Sequence, residues 1–334
     1  MAIFYKGYEN ISVELRSFVG NDLAKQVVMF GNLAEFYTGL NEYSEDNPIA
    51  QQIVDDVIEG KTFPRYAFDG HNIVFQINNI SRINLAQLTR ERGIFCSESS
   101  GTRPLTNTFI TPLAIYNDKE LMGKLTKIQR EIESLYEDMA EKNLTYLDSR
   151  YFGFHAQTIS INYMTSAMNF MRSCNSRTEN NFADEINYVY RLMLYELKKA
   201  IKEQVTDKLS LKLWNWLLSF ADKKSAYTRD NSYNNDFKRF PDPEGWTPAE
   251  PARNDWRKSS WKLELEKMYY ERPELLFDGE KEMIEKWLTL EKEGKELPST
   301  YSETEGLHDK IKEMYYYLDD SQDAMTYVLG DKNE

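Results

Sequence analysis

The chain has 334 residues, 41% of them hydrophobic, with 41 basic and 54 acidic side chains and a formal net charge of −13. That length and apolar content suffice for one large or two modest domains with real cores, while the acidic balance argues against a nucleic-acid polymer as partner for the whole surface. Two cysteines (Cys96, Cys174) and three histidines (His71, His155, His308) lack disulfide or metal-ligand spacing, so neither a disulfide framework nor a zinc site is expected.

Residues 1–20 alternate Ile11, Val13 and Leu15 with polar neighbours, which suits an early strand. Asp22 can cap a helix to about residue 40, with Leu23, Val27, Phe30, Leu33, Ala34 and Tyr37 as its buried stripe. A loop ending in Asn47-Pro48 leads into a short helix that Gly60 stops. The run Ile73-Val74-Phe75-Gln76-Ile77-Asn78 reads as a strand. Ser81 then caps a helix over about 82–92, with Ile83, Ala86 and Leu88 toward a core, followed by a loop. Residues 118–144 form a long charged helix with the seam Leu121, Leu125, Ile128, Ile132 and Leu135, Asp118 as cap, and the charges as a solvated face.

Residues 158–204 read as mostly helical. One stripe runs through Ile161, Met164, Ala167, Met168 and Met171, and another through Ile186, Val189, Tyr190, Met193, Leu197 and Ile201; a polar break at 173–177 separates them. Composition changes near 205: all six tryptophans and the run of Pro241, Pro243, Pro248 and Pro251 lie beyond it. Helical patterns resume near 255–271, 279–293 and 304–328. Two parts are therefore expected, 1–204 and a helical, Trp-rich extension over 205–334. No basic-then-apolar leader and no apolar run of membrane length occurs, so the expectation is a soluble cytoplasmic protein without membrane contact.

The chemistry concentrates in residues 87–103, which hold three arginines, two glutamates and three serines around Gly93 and Gly101. Guanidinium forks and exposed backbone N–H groups match anionic oxygens, so a phosphate-bearing ligand suits this stretch. Its pattern resembles the signature of the flavin-dependent thymidylate synthases: Arg, His, Arg, two residues, Ser, four residues, Ser, one residue, Arg. Arg90 and Arg92 match the leading arginines, Ser100 matches the second Ser, and Arg103 stands one position late. Glu91 occupies the His position and Phe95 that of the first Ser. Gln87, Glu98 and Gly101 also match, as does Arg150 after the long helix. Asn162, Met168-Asn169-Phe170, Arg177 and Glu185-Ile186 follow in the order of the family's flavin-contacting helix. The resemblance covers about residues 10–204.

It implies a helix-rich α/β fold and a homotetramer. The implied reaction is C5 methylation of a pyrimidine deoxynucleoside monophosphate, dUMP to dTMP. Methylenetetrahydrofolate would be the carbon donor, FAD the hydride carrier and NADPH the reductant. By resemblance, Arg90, Glu91, Arg92, Asn162 and Asn169 would seat FAD. Gln87, Glu98, Ser100, Gly101, Arg103, Arg150 and Arg177 would hold the nucleotide, with Ser100 and Arg177 as the catalytic candidates. No metal is implied. The residues leave other readings open: a pyrimidine nucleotide hydroxymethylase, an inactive nucleotide- or flavin-binding paralogue, or a helical interaction protein in which the arginines serve structural ion pairs.

Overall fold

β-Branched and aromatic residues at every second position build a central four-stranded sheet. The computed structural model describes residues 2–34, 42–61, 68, 70–90, 94–98, 108–144, 153–178, 184–222 and 260–297. The strands are β1 (Ile3–Lys6), β2 (Ser12–Ser17), β3 (Asn72–Ser81), β4 (Ile94–Glu98), β5 (Thr108–Thr111) and β6 (Thr158–Ser166). Strands β2, β3, β6 and β4 lie in that order, all antiparallel, and β1 pairs with β5 in a separate parallel pair. The fold is helix-rich α/β.

The helices are α1 (Asp22–Ala34), α2 (Pro48–Ile58), α3 (Arg82–Leu88), α4 (Leu113–Tyr116), α5 (Lys119–Glu141), α6 (Ala167–Arg177), α7 (Asp184–Gln204), α8 (Lys208–Asp222), α9 (Ser260–Glu271) and α10 (Glu280–Lys292). A short 3-10 turn, Pro273–Leu275, joins the last two. Asp118 caps as expected, accepting from Glu120 N and Leu121 N at 2.9 and 3.0 Å. Asn47, expected only to end a loop, also caps, accepting from Ile49 N at 2.9 Å, whereas Asp22, expected as a cap, is the first residue of its helix. Each such cap contributes about 1 kcal/mol by satisfying an N–H the helix leaves over.

Two compact units are present, one of residues 1–178 and 182–221, the other of 179–181 and 222–334. In the first, α7 is the core: every residue from Glu185 to Leu194 is buried. Its expected stripe of Ile186, Val189, Tyr190, Met193, Leu197 and Ile201 is wholly inside. Phe170 of α6 sits between Phe75 of β3 and Tyr190 of α7, with ring centroids at 5.3 and 6.1 Å. Burying each such ring stabilises the fold by roughly 1.5–3 kcal/mol. Helix α8 belongs to this unit. Its Trp214 is fully buried and donates Nε1–H to Gly20 O at 3.0 Å, and Ser210 donates to Asn21 O at 2.6 Å. The second unit has its own core, with Trp261, Leu265, Met268, Ile284 and Trp287 buried.

Three expectations fail. Residues 158–166 are a strand, not helix, because Ile159, Ile161, Tyr163 and Thr165 repeat with period two and all are buried. Residues 94–98 are the edge strand of the sheet, not a loop. Helix α3 stops at Leu88; of its three residues expected toward the core only Leu88 is buried, while Ile83 and Ala86 are exposed and Asn84 faces inward. The helix near 304–328, the proline run and residues 35–41 lie outside the described residues. No helix among the described residues is long and apolar enough to cross a membrane.

Candidate functional site

Strand β3 passes directly into α3, and one residue makes the turn. Ser81 ends the strand and caps the helix, its Oγ accepting from Asn84 N at 3.1 Å. A bulge between Ile77 and Ile80 sets this up. Asn79 there takes φ 60° and donates its amide to Asn10 O at 2.9 Å. Asn is one of the few residues that adopts this conformation readily. The extra residue returns Ile80 to the core and turns Ser81 inward.

Ser81 then meets Glu185, in the first turn of α7. Ser81 N–H donates to Oε1 at 2.6 Å and its hydroxyl to Oε2 at 2.5 Å; Asn84 Nδ2 donates to Oε1 at 3.4 Å. Burial pushes the Glu185 carboxyl up, opposed by the Ser81 and Asn84 hydrogen bonds. This carboxylate fixes the start of α3 and hence the direction in which Gln87 and Arg90 emerge from it. In the sequence Glu185 stands out only as part of the pair Glu185-Ile186. Its role depends on a serine 104 positions earlier, which no local pattern reveals.

Arg90 is exposed and makes no ion pair among the described residues, and the Gln87 side chain makes no hydrogen bond among them. The chain re-enters the sheet at Ile94, opposite Thr165 of β6. At that same end, Ser166 caps α6, accepting from Asn169 N at 3.3 Å. Ile94 and the half-buried Asn169 therefore lie at one end of the sheet. Arg177 ends α6 eight residues on, about 12 Å along the axis, so the structure separates it from Asn169.

Asn162 lies on a strand, not on the expected helix, and its exposed side chain is on the sheet face turned away from α7. Its register partners are Gln76 on β3 and Ser97 on β4, with Glu14 beyond Gln76 on β2. One row of four polar residues thus crosses the sheet. The next row carries Val74, Met164 and the exposed Phe95. Gln76 is held by Arg16 and Asn78, whereas Asn162 and Ser97 make no side-chain hydrogen bond among the described residues.

His71 precedes β3, and its carbonyl accepts from Ala167 N, the first residue of α6, at 2.8 Å. Its imidazole is fully buried, with no hydrogen-bond partner for either nitrogen among the described residues. Burial pushes it down to about 4, with Asp22 opposing, so it is neutral at pH 7.

Glu98 closes β4 opposite Ile161. Glu91, Arg92, Ser100, Gly101, Arg103 and Arg150 lie outside the described residues. No group of three or more potential metal ligands occurs among the described residues.

Residues 42–201 match the model of the family described as thymidylate synthase complementing protein. No curated protein matches the chain. Among solved structures, a UMP/dUMP methylase PolB from Streptomyces cacaoi bound with 5-Br dUMP is 14% identical, with a TM-score of 0.48 over 64% of this chain and 98% of that one. A flavin dependent thymidylate synthase ThyX from Helicobacter pylori, complexed with FAD and dUMP, is 13% identical, with a TM-score of 0.43 over 58% of this chain and 99% of that one.

Proposed function

We propose that the chain is a flavin-dependent enzyme that methylates a pyrimidine deoxynucleoside monophosphate at C5, dUMP to dTMP, a reading supported by the match of residues 42–201 to the thymidylate synthase complementing protein model. The family match is the observation that carries this reading. The cofactor is FAD, with methylenetetrahydrofolate and NADPH as cosubstrates, and the working form is a homotetramer in the cytoplasm.

The donor set fits such ligands in kind. Arg90 is a solvent-facing cation with no ion pair among the described residues, as a diphosphate or phosphate requires. Asn162 and Ser97 present free donors and acceptors side by side, as the edge of a flavin or a pyrimidine requires. Bound FAD supplies the hydride chemistry. The chain's own residues bind and orient. Arg90 and Arg92 neutralise phosphate charge, with Glu91 between them, and Asn162 and Asn169 hold the ring edge. Gln87, Glu98, Ser100, Gly101, Arg103, Arg150 and Arg177 would bind the nucleotide, with Ser100 and Arg177 as the catalytic candidates. Glu185 keeps α3, and so Gln87 and Arg90, in place.

Glu91 favours a second reading. A carboxylate in the position of a histidine repels a phosphate unless its neighbours offset it, which suits a protein that binds the nucleotide or flavin without turnover.

The test is an absorbance spectrum of the purified protein with FAD, titrated with dUMP and then with dCMP. A visible flavin band that shifts with one nucleotide supports the enzyme reading and identifies the base. Product mass then separates methyl from hydroxymethyl transfer, and no product with flavin bound selects the non-catalytic reading. A protein that leaves FAD and both nucleotides unperturbed overturns both. In the positive case, Arg90→Ala should weaken ligand binding roughly 10- to 100-fold, the worth of one charge-assisted hydrogen bond.

A further inference from the structure

The outward face of the four-stranded sheet is polar with one exception. Its apolar side chains, Val74 on β3, Met164 on β6 and Phe95 on β4, are register partners and form a single row across three neighbouring strands. Val74 and Met164 are half-buried, and Phe95 on the edge strand is 70% exposed. A phenyl ring so exposed adds little to the core, and its cost in contact with water is recovered when another apolar surface covers it. The family signature carries a serine where Phe95 stands, so the resemblance gives this ring no role.

The neighbouring row says what covers it. Two residues along the same strands lie Gln76, Asn162 and Ser97, on the same face. Asn162 and Ser97 are exposed and make no side-chain hydrogen bond among the described residues. An asparagine amide and a serine hydroxyl each donate and accept, so the pair meets an edge on which carbonyl and N–H groups alternate. The platform is therefore apolar along one row and amide-like along the next. The two rows are about 7 Å apart, and two strand spacings make each roughly 10 Å long. A single pyrimidine ring covers one strand spacing, whereas a fused ring system covers two. Arg90 stands five residues before Phe95, at most about 18 Å away along the chain, within reach of a diphosphate carried on an arm of the same ligand.

We propose that Phe95 is a stacking residue for the flavin ring, which lies against Phe95, Met164 and Val74 with its pyrimidine edge at Asn162 and Ser97. This rests on the flavin-dependent reading above and adds to it a ring-selecting residue peculiar to this chain. Stacking tolerates any flat ring, and the amide row restricts it to rings with a hydrogen-bonding edge.

The test uses the full chain and follows flavin fluorescence, which a stacked aromatic ring quenches. The wild type should bind FAD and quench it. Phe95→Ser should weaken FAD roughly 5- to 150-fold, the worth of one stacked ring, and leave the flavin that still binds brighter. Phe95→Trp should restore both affinity and quenching, which a merely structural role would not require. Riboflavin, the ring without the diphosphate, should compete with FAD on the wild type and lose that ability on Phe95→Ser, while ADP, the other half of FAD, should compete equally on both. Asn162→Ala should weaken FAD and keep the quenching. Unchanged far-ultraviolet circular dichroism shows that each variant is folded. A wild type that takes up no FAD overturns this proposal together with the flavin reading. A Phe95→Ser variant with wild-type affinity and quenching overturns this proposal alone. So does one that loses dUMP and keeps FAD, because the platform then carries the substrate base, and so does one that changes only the molar mass, because another copy of the chain then covers the face.

Discussion

Replacing Glu185 by alanine removes the acceptor of three hydrogen bonds and leaves the buried Ser81 hydroxyl and N–H unpaired. Such a loss costs about 3 kcal/mol, so Glu185→Ala should lower the urea midpoint strongly. Glu185→Gln should be far milder, since its amide N–H can donate to Ser81 Oγ while its carbonyl keeps the other donors. The pH dependence separates charge from shape. Burial raises the Glu185 carboxyl, so the folded state holds its proton more tightly than the unfolded chain. Its contribution is fully present below the ordinary glutamate range and is lost as pH rises through the raised value. The Gln variant should lack this loss; an identical pH profile for both proteins would show that Glu185 stays ionised in the fold at no cost. His71 acts with the opposite sign. It is pushed down to about 4, so its contribution is full above about 6.5 and lost as pH falls toward 4, on the order of 3 kcal/mol in total. His71→Leu should flatten the stability curve across that acid window, and a curve as steep as that of the wild type would place the acid sensitivity elsewhere.

At the scale of elements, the sequence declared caps and buried helices better than strands. Ser81 and Asp118 cap where local chemistry says they do, because a cap is a contact between residues two or three apart. Helix α7 was legible because six apolar positions keep one period over sixteen residues. Strand β6 was not, because Ile161, Met164 and Ala167 also fall at helical spacing. Tertiary pairing with β3 and β4 decided for the shorter period. Of the candidate site, the row Gln76, Asn162, Ser97 could not be read at all, since it is assembled by register between strands far apart in the chain. Helix α5 offers a test of local propensity alone. A Cβ at Gly123 meets nothing within 4 Å, and glycine inside a helix costs roughly 0.5–1 kcal/mol relative to alanine. Gly123→Ala should therefore stabilise by that amount in thermal unfolding, without altering ligand binding. A destabilised variant would mean that this face of α5 is covered in solution.

At the scale of the whole molecule, two cores share one chain, and each has a tryptophan at its centre. Trp214 is fully buried in the first unit, between α8 and the turn at Gly20, and Trp287 is fully buried in the second. A chain with two cores need not unfold in one step, so calorimetry of the full-length protein should resolve two transitions. Trp214→Ala removes a ring and a hydrogen bond from the first core alone, and Trp287→Ala does the same to the packing of the second. Each cavity costs about 3–5 kcal/mol and should depress one transition while leaving the other in place. The residues proposed to bind flavin and nucleotide all lie within the first unit. Added FAD or dUMP should therefore raise the transition that Trp214→Ala lowers, by the mass-action stabilisation of the folded state. A single transition that both substitutions lower equally would mean that the two cores fold as one. Ligand that raises only the Trp287 transition would move the binding site out of the first unit and away from Arg90 and Asn162.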